Sequence, residues 1–405
     1  MTFRKLSDIC FKVTSGGTPS RKRLDFYDGG FPWVKTKELN DNIILDTEEH
    51  INEEALAKSS AKLLPKNTVL MAMYGATVGK LGILGVEAAC NQACIALIVN
   101  PEAADYRFIY YLLAHNRSSI VAMATGAAQQ NLSGDLVRNL EFEFPSLPVQ
   151  AAVADILSTL DEKIRLNTEL SKTLEAIAQT IFKSWFIDFD PVHAKMRGEK
   201  PEGMDDATAA LFPDSFEESE LGLIPKGWEV EPVENTLQVR AGNNKITKAL
   251  YVDEGFVAYS ASGPDGFVFN AASDEEAVIV SGVGANCGRT FYATGKWTAI
   301  ANTQVVTARY GVADVRYFYW LTKQTDFFPI RGSAQPFIAI SAIREKPILR
   351  PDPGVLAVFS GIVGSTFHWI SSLDIESKTL AKIRDTLLPR LISGELEIPE
   401  EMLAP

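Results

Sequence analysis

The chain holds four cysteines, Cys10, Cys90, Cys94 and Cys287, and four histidines in 405 residues. Such scarcity excludes a disulfide framework. Only Cys90 and Cys94 approach metal-ligand spacing, and without a second ligand pair they read as buried small apolar residues, so no metal is expected. His50 and His193 have no triad or ligand company. Neither a run of about eighteen apolar residues nor the apolar stretch of a secretory signal is present, so a cytoplasmic location is expected. Gly75 to Lys80 is the nearest approach to a nucleotide loop. It has three residues between its glycines where four are needed, and Leu81 where Ser or Thr should follow. A tight β-turn is the favoured reading there.

Positive charge is also short, 39 basic against 51 acidic side chains. A net charge of −12 argues at first against nucleic acid, because phosphate contacts need Lys and Arg. The distribution reverses that reading. Residues 1–145 carry 15 basic and 16 acidic side chains and residues 227–350 carry 12 of each, whereas residues 146–226 have 8 against 15 and residues 351–405 have 4 against 8. The acid is confined to two stretches.

The chain is written twice. ADYRFIYYLL (104–113) aligns with ADVRYFYWLT (313–322) at five of ten positions, and SKTLEAIAQTIF (171–182) with SKTLAKIRDTLL (377–388) at six of twelve. Gly75–Lys80 falls on Gly284–Arg289, and Gly126, Ala128 and Gln129 on Gly332, Ala334 and Gln335. Ordered windows of this kind mark an internal duplication. Each copy opens with β-rich runs, Thr68 to Met73, Cys94 to Val99, Ala277 to Ser281 and Gln304 to Arg309, and aromatic helices starting near Asp105 and Asp314. The helical spacing of Phe108, Tyr110, Tyr111, Tyr317, Tyr319 and Trp320 favours core packing over base stacking. Each copy closes on a heptad stripe. The expected seam is Val153, Ile156, Leu160, Asn167, Leu170, Leu174, Ile177 and Ile181 in the first copy, and Leu373, Leu380, Ile383 and Leu387 in the second. Gly361 and Gly364 weaken the start of the second helix, and Asn167, with Lys163, either fixes register or marks a solvent-exposed bend. The expected division is two globular domains, 1–147 and 227–350, two helical spacers, 148–188 and 351–405, and an acidic linker, 189–226, punctuated by Pro and Gly.

These residues resemble the specificity subunits of type I restriction-modification systems. The resemblance runs through PSLPVQAAVADILSTLDEKI (145–164), SKTLEAIAQTIFKSWFIDFDPV (171–192), ELGLIPKGWEV (220–230) and IRDTLLPRLISGEL (383–396), and the opening SGGTPSRKRLDFYDGGFPWVKTKEL (15–39) looks like the start of a recognition domain. It implies an α/β (α+β) protein with two pseudo-symmetric target recognition domains joined by two long antiparallel coiled-coil helices. It also implies a non-catalytic chain that binds a bipartite, asymmetric double-stranded DNA target and docks two methyltransferase subunits and restriction subunits. No cofactor belongs to the chain itself; S-adenosylmethionine, ATP and Mg would be used by the partners. In agreement, the sequence lacks the Asn/Asp-Pro-Pro-aromatic run that grips a flipped adenine. An enzyme acting alone and a protein-binding coiled-coil scaffold are the rival classes. Methylation or cleavage by the purified chain would mark the first, and failure to confer sequence preference the second.

The candidates for DNA contact are Thr18, Ser20, Arg21, Lys22, Arg23, Lys35 and Lys37 in the basic opening, with Lys245 and Lys248 in the comparable place of the second copy. A solvated surface loop is the alternative for Arg21 to Arg23. Lys80 and Arg289 are placed to approach phosphate from the glycine turns. Gln129, Gln130 and Asn131, with Gln335 as counterpart of Gln129, suit adenine edges or, equally, turn capping.

Overall fold

The computed structural model describes residues 2–124, 131–309 and 314–403. The chain divides into two compact units, the first made of residues 1–167 and 375–405, the second of residues 168–374. Two forty-residue helices, Leu147–Phe186 and Pro353–Ile392, each give one part to each unit. At 1.5 Å per residue such a helix is about 60 Å long.

Unit 1 is built on a five-stranded sheet of β1 (Cys10–Ser15), β2 (Asn42–Ile44), β3 (Val69–Ala72), β4 (Leu81–Leu84) and β5 (Cys94–Val99). The order is β1-β5-β3-β4-β2, antiparallel except for the β2–β4 pair. Strands β3 and β4 are buried along their whole length, as their unbroken apolar runs VLMA and LGIL require. Asp105 caps the helix Tyr106–His115 by accepting from the backbone N–H groups of Arg107 and Phe108. That helix buries Phe108, Tyr110 and Tyr111 in one cluster with Val153 and Leu157 of the first long helix and Leu391 and Ile392 of the second. Cys90 and Cys94 are fully buried, and a hydrogen bond with Cys90, together with burial, holds the Cys94 thiol well above its ordinary pKa. Strand Thr2–Lys5 pairs with Glu141–Phe144 and closes the globular part.

Unit 2 repeats the plan with β6 (Leu237–Ala241), β7 (Ala277–Ser281), β8 (Thr290–Ala293) and β9 (Thr303–Ala308), in the order β6-β9-β7-β8. Asp314 caps the helix Val315–Leu321, and strand Glu229–Pro232 pairs with Pro347–Arg350. Its core is aromatic: Phe186 lies 4.9 Å from Tyr317 and 5.0 Å from Phe359, ring centre to ring centre. The expected linker is folded. It contains helices Asp190–Met196 and Asp206–Ala210 and the hairpin Phe216–Ser219 with Gly222–Pro225, and Val192, Phe212 and Ile224 are buried. Its acid and its prolines mask this, because few apolar residues carry the packing.

Within each unit the long helices run antiparallel. In unit 1, Arg384 Nη1 meets Asp161 Oδ1 at 2.6 Å, and buried Asn167 donates through Nδ2 to Glu376 Oε2 at 2.8 Å. In unit 2, Phe182 packs on Phe359. Rising numbers on one helix meet falling numbers on the other. The buried stripe overlaps the expected one in part. Val153, Asn167 and Leu373 are buried, and Ile156, Leu160, Leu174, Ile181, Leu380 and Leu387 are half-buried, but Leu170, Ile177 and Ile383 are exposed. Seam positions are filled also by Leu157, Asp161, Ala178, Phe182 and Trp185, some polar or small, so apolarity alone misplaces part of the face. The second helix is unbroken at Gly361 and Gly364. A side chain at Gly364 would come within 3.0 Å of the Arg316 guanidinium, which accounts for that glycine. Residues 353–373 carry no Asp, Glu, Lys or Arg, and the helix is long and apolar enough to cross a membrane by length and composition alone. Its Val355, Phe359 and Val363 are buried in the core of unit 2.

Candidate nucleic-acid interface

In each unit the loops that carry the candidate residues gather at one end of the sheet. In unit 1 the chain leaves β1 into Gly16–Arg23, where Gly16 N donates to Cys94 O and Gly17 N to Cys90 O. The turn from β3 to β4 is tied to the same end by Met73 N to Ala93 O, and the returning segment by Leu132 N to Met73 O. Asn131 bridges to Tyr74. Unit 2 repeats the ties: Gly242 N to Thr303 O, Gly282 N to Asn302 O and Ile338 N to Gly282 O. The paired turns have glycine at φ +83° and +78° (Gly75, Gly79) and at +90° and +87° (Gly284, Gly288), a backbone region that side chains disfavour. They are tight turns between strands.

The two sheet ends differ in charge. In unit 1 most of the basic cluster is already paired. Arg21 Nη1 and Lys35 Nζ each lie 2.6 Å from a Glu49 carboxylate oxygen, Lys35 also reaches Glu48 at 3.1 Å, and Lys37 pairs with Glu48. Arg23 binds Asp25 and Glu54, and Arg21 stacks over Tyr27 with its guanidinium 4.4 Å from the ring centre. Partial burial would lift the Glu49 carboxyl, but hydrogen bonds from Lys35 and Arg21 outweigh it and hold the pKa below the usual range. Lys80 pairs with Asp41 at 2.9 Å, and Arg117 binds the same carboxylate. Thr18 hydrogen-bonds Gln92, Ser20 is exposed, and Lys22 is exposed with no side-chain partner among the described residues. Gln129 and Gln130 lie outside the described residues.

In unit 2, Lys248 pairs with Asp265, but Lys245 and Arg289 are exposed and make no side-chain ion pair or hydrogen bond among the described residues. Gln335 is exposed on a hairpin at the same end, beside Arg331. Sequence reasoning passed over Arg331, although it opens RGSAQPF, the stretch that aligns with Gly126 to Gln129. It also passed over buried Gln304, whose Nε2 donates to Ile338 O at 2.5 Å and so holds that hairpin.

The two units thus repeat one arrangement, a sheet with polar, glycine-turned loops at one end. Residues 1–176 match the family model described as the type I restriction modification DNA specificity domain. Over 98% of its length the chain is 27% identical to the type I restriction enzyme MjaIX specificity subunit of Methanocaldococcus jannaschii, covering 94% of that protein. It is likewise 27% identical to the HindI specificity subunit of Haemophilus influenzae, over 74% of this chain and 78% of that one. The fold is that of the crystal structure of the type I restriction-modification S subunit from M. genitalium, with a TM-score of 0.61 at 18% identity over 96% of this chain and 95% of the other. The chain is thus similar along nearly its whole length to type I restriction enzyme specificity subunits, and its residues 1–176 match their DNA specificity domain.

Proposed function

We propose that the chain selects the DNA sequence for a type I restriction-modification complex, reading one half of a bipartite, asymmetric target with each sheet end. In this reading it performs no chemistry. Two methyltransferase subunits, using S-adenosylmethionine, modify adenine, and restriction subunits, using ATP and Mg, cleave. What carries the reading is the repeat of one loop arrangement at two sheet ends with different side chains, which is what two unlike half-sites need. Docking of the partner subunits falls to the exposed apolar side chains of the long helices. These are Leu170, Ile177, Ile362 and Trp369 in unit 2 and Leu166, Ile375 and Ile383 in unit 1. Single-molecule sequencing of adenine methylation in cells with and without the gene tests the proposal. Two separated, different half-sites that vanish with the gene are expected; a continuous palindrome, or a map independent of the gene, overturns it.

A further inference from the structure

The hairpin Arg331 to Phe337 in unit 2 is built to project. Its feet are joined by two reciprocal backbone hydrogen bonds, Arg331 N to Phe337 O at 3.0 Å and Phe337 N to Arg331 O at 2.8 Å. Gly284 N donates to Pro336 O, Ile338 N to Gly282 O, and the buried Gln304 amide to Ile338 O, so the base is held against the glycine turn from three sides. Gly332 at φ +83° makes the bend; a side chain there would come within 2.7 Å of Gln335 O. Beyond this rigid base, Gly332 to Gln335 are all exposed. Phe337 and Ile330 stay 42% and 51% exposed beside them, apolar surface that the fold does not use.

Charge singles out the same place. Strands β6, β7, β8 and β9 end or begin here, and the loops they deliver, residues 242–248, 282–289, 300–302 and 330–338, contain no Asp or Glu. Lys245, Arg289 and Arg331 are exposed and lack any side-chain ion pair or hydrogen bond among the described residues. Three uncompensated cations around a polar finger suit a polyanion with a groove. The major groove of duplex DNA, about 12 Å wide, admits a two-stranded ribbon, and a glutamine amide pairs with adenine through N6 and N7.

We propose that this hairpin is the base-reading element of unit 2, entering the major groove with Gln335 on an adenine and Lys245, Arg289 and Arg331 on flanking phosphates. The proposal rests on the DNA-specificity reading above and names which residues perform it. Unit 1, whose Arg21, Arg23, Lys35, Lys37 and Lys80 are held by Glu49, Glu48, Asp25, Glu54 and Asp41, then contributes less of the salt-dependent binding.

The test uses the full chain co-expressed with its methyltransferase subunit. Adenine methylation is mapped for the wild type, Gln335→Ala and Gln335→Glu, and DNA binding is measured against salt for Lys245→Ala/Arg289→Ala/Arg331→Ala. Gln335→Ala should cost roughly 5- to 150-fold in discrimination at one A·T position of one half-site, leaving the other half intact. Gln335→Glu should lose methylation at the wild-type site. The triple variant should flatten the plot of log affinity against log salt by up to about 2.7, at about 0.9 per phosphate contact. Thermal midpoints should match the wild type, since all four side chains lie on exposed loops. A wild-type map retained by both Gln335 variants, or an unchanged salt slope, overturns the proposal; a wild-type complex with no sequence preference overturns instead the function on which it rests.

Discussion

At the scale of single residues, the sequence displays charge but hides its compensation. Arg21, Arg23, Lys35 and Lys37 read as a bare basic patch because Glu48, Glu49 and Glu54 come from a different part of the chain and only the fold brings them together. Replacing Glu49 by Gln should therefore free Arg21, while Lys35 keeps Glu48, raise DNA affinity at low salt and steepen the salt slope by up to about 0.9. Fluorescence anisotropy at several salt concentrations checks this, and an unchanged slope would leave Arg21 without a role in DNA binding. Asp41 makes the complementary case. Half-burial would raise its pKa, yet hydrogen bonds from Lys80, Arg117 and the Leu81 N–H lower it. A carboxyl held below its unfolded value stabilises the fold fully above the ordinary range near pH 4 and loses that contribution as pH falls through the lower folded value. Asp41→Asn should cost about 1–3 kcal/mol at neutral pH, discounted because the group is partly exposed, and should remove this part of the acid sensitivity. Urea unfolding of both proteins between pH 3 and 7 would show it; parallel pH curves would contradict it.

At the scale of elements, the four strands with continuous apolar runs were legible almost to the residue, whereas the strands that pair beside them, such as Cys10–Ser15 and Leu237–Ala241, were not. Cys94 to Val99 and Ala277 to Ser281 occur with the bounds that their apolar runs suggest, and Asp105 and Asp314 cap the aromatic helices as their positions imply. The helical seam was legible as a period and, except at Leu170, Ile177 and Ile383, largely as a face. Asp161 occupies an inward position because Arg384 meets it there, a pairing that apolar counting does not register, whereas Asn167, expected in the seam, is buried against Glu376. Burial separates two kinds of helical residue. Phe182 is fully buried among Phe186, Tyr317 and Phe359, so Phe182→Ala should destabilise by about 3–5 kcal/mol through the cavity it leaves. Leu170 and Ile177, 43% and 49% exposed, should tolerate Leu170→Asp/Ile177→Asp within about 1 kcal/mol. The same double variant should weaken capture of the methyltransferase subunit roughly tenfold or more, as loss of an apolar anchor does. Thermal melts beside a co-purification titration distinguish the two; unimpaired capture would remove these residues from the docking face.

At the scale of the whole molecule, the duplication was plain in the sequence, but the way the chain closes on itself was not. Residues 375–405 belong to the first unit, where Leu391 and Ile392 are buried with Phe108, Val153 and Leu157, more than two hundred residues away in sequence. Each unit thus has its own core, completed by parts of both long helices, and among the described residues no strand of one unit pairs with a strand of the other. Independent cores mean that the loops at one sheet end can change without disturbing those at the other. Grafting residues 1–147 from a relative should then replace one half of the DNA target and leave the second half and the spacing as they were. The graft needs side chains able to pack on Val153, Leu157, Leu391 and Ile392, so a donor that differs there should lose stability before it loses specificity. The two long helices carry the chain from one unit into the other, so one heptad inserted in each should alter the gap between half-sites and neither half-site itself. Methylation mapping of both variants reads all three quantities at once. A graft that altered both halves, or an insertion that rewrote a half-site, would show that recognition is shared between the units.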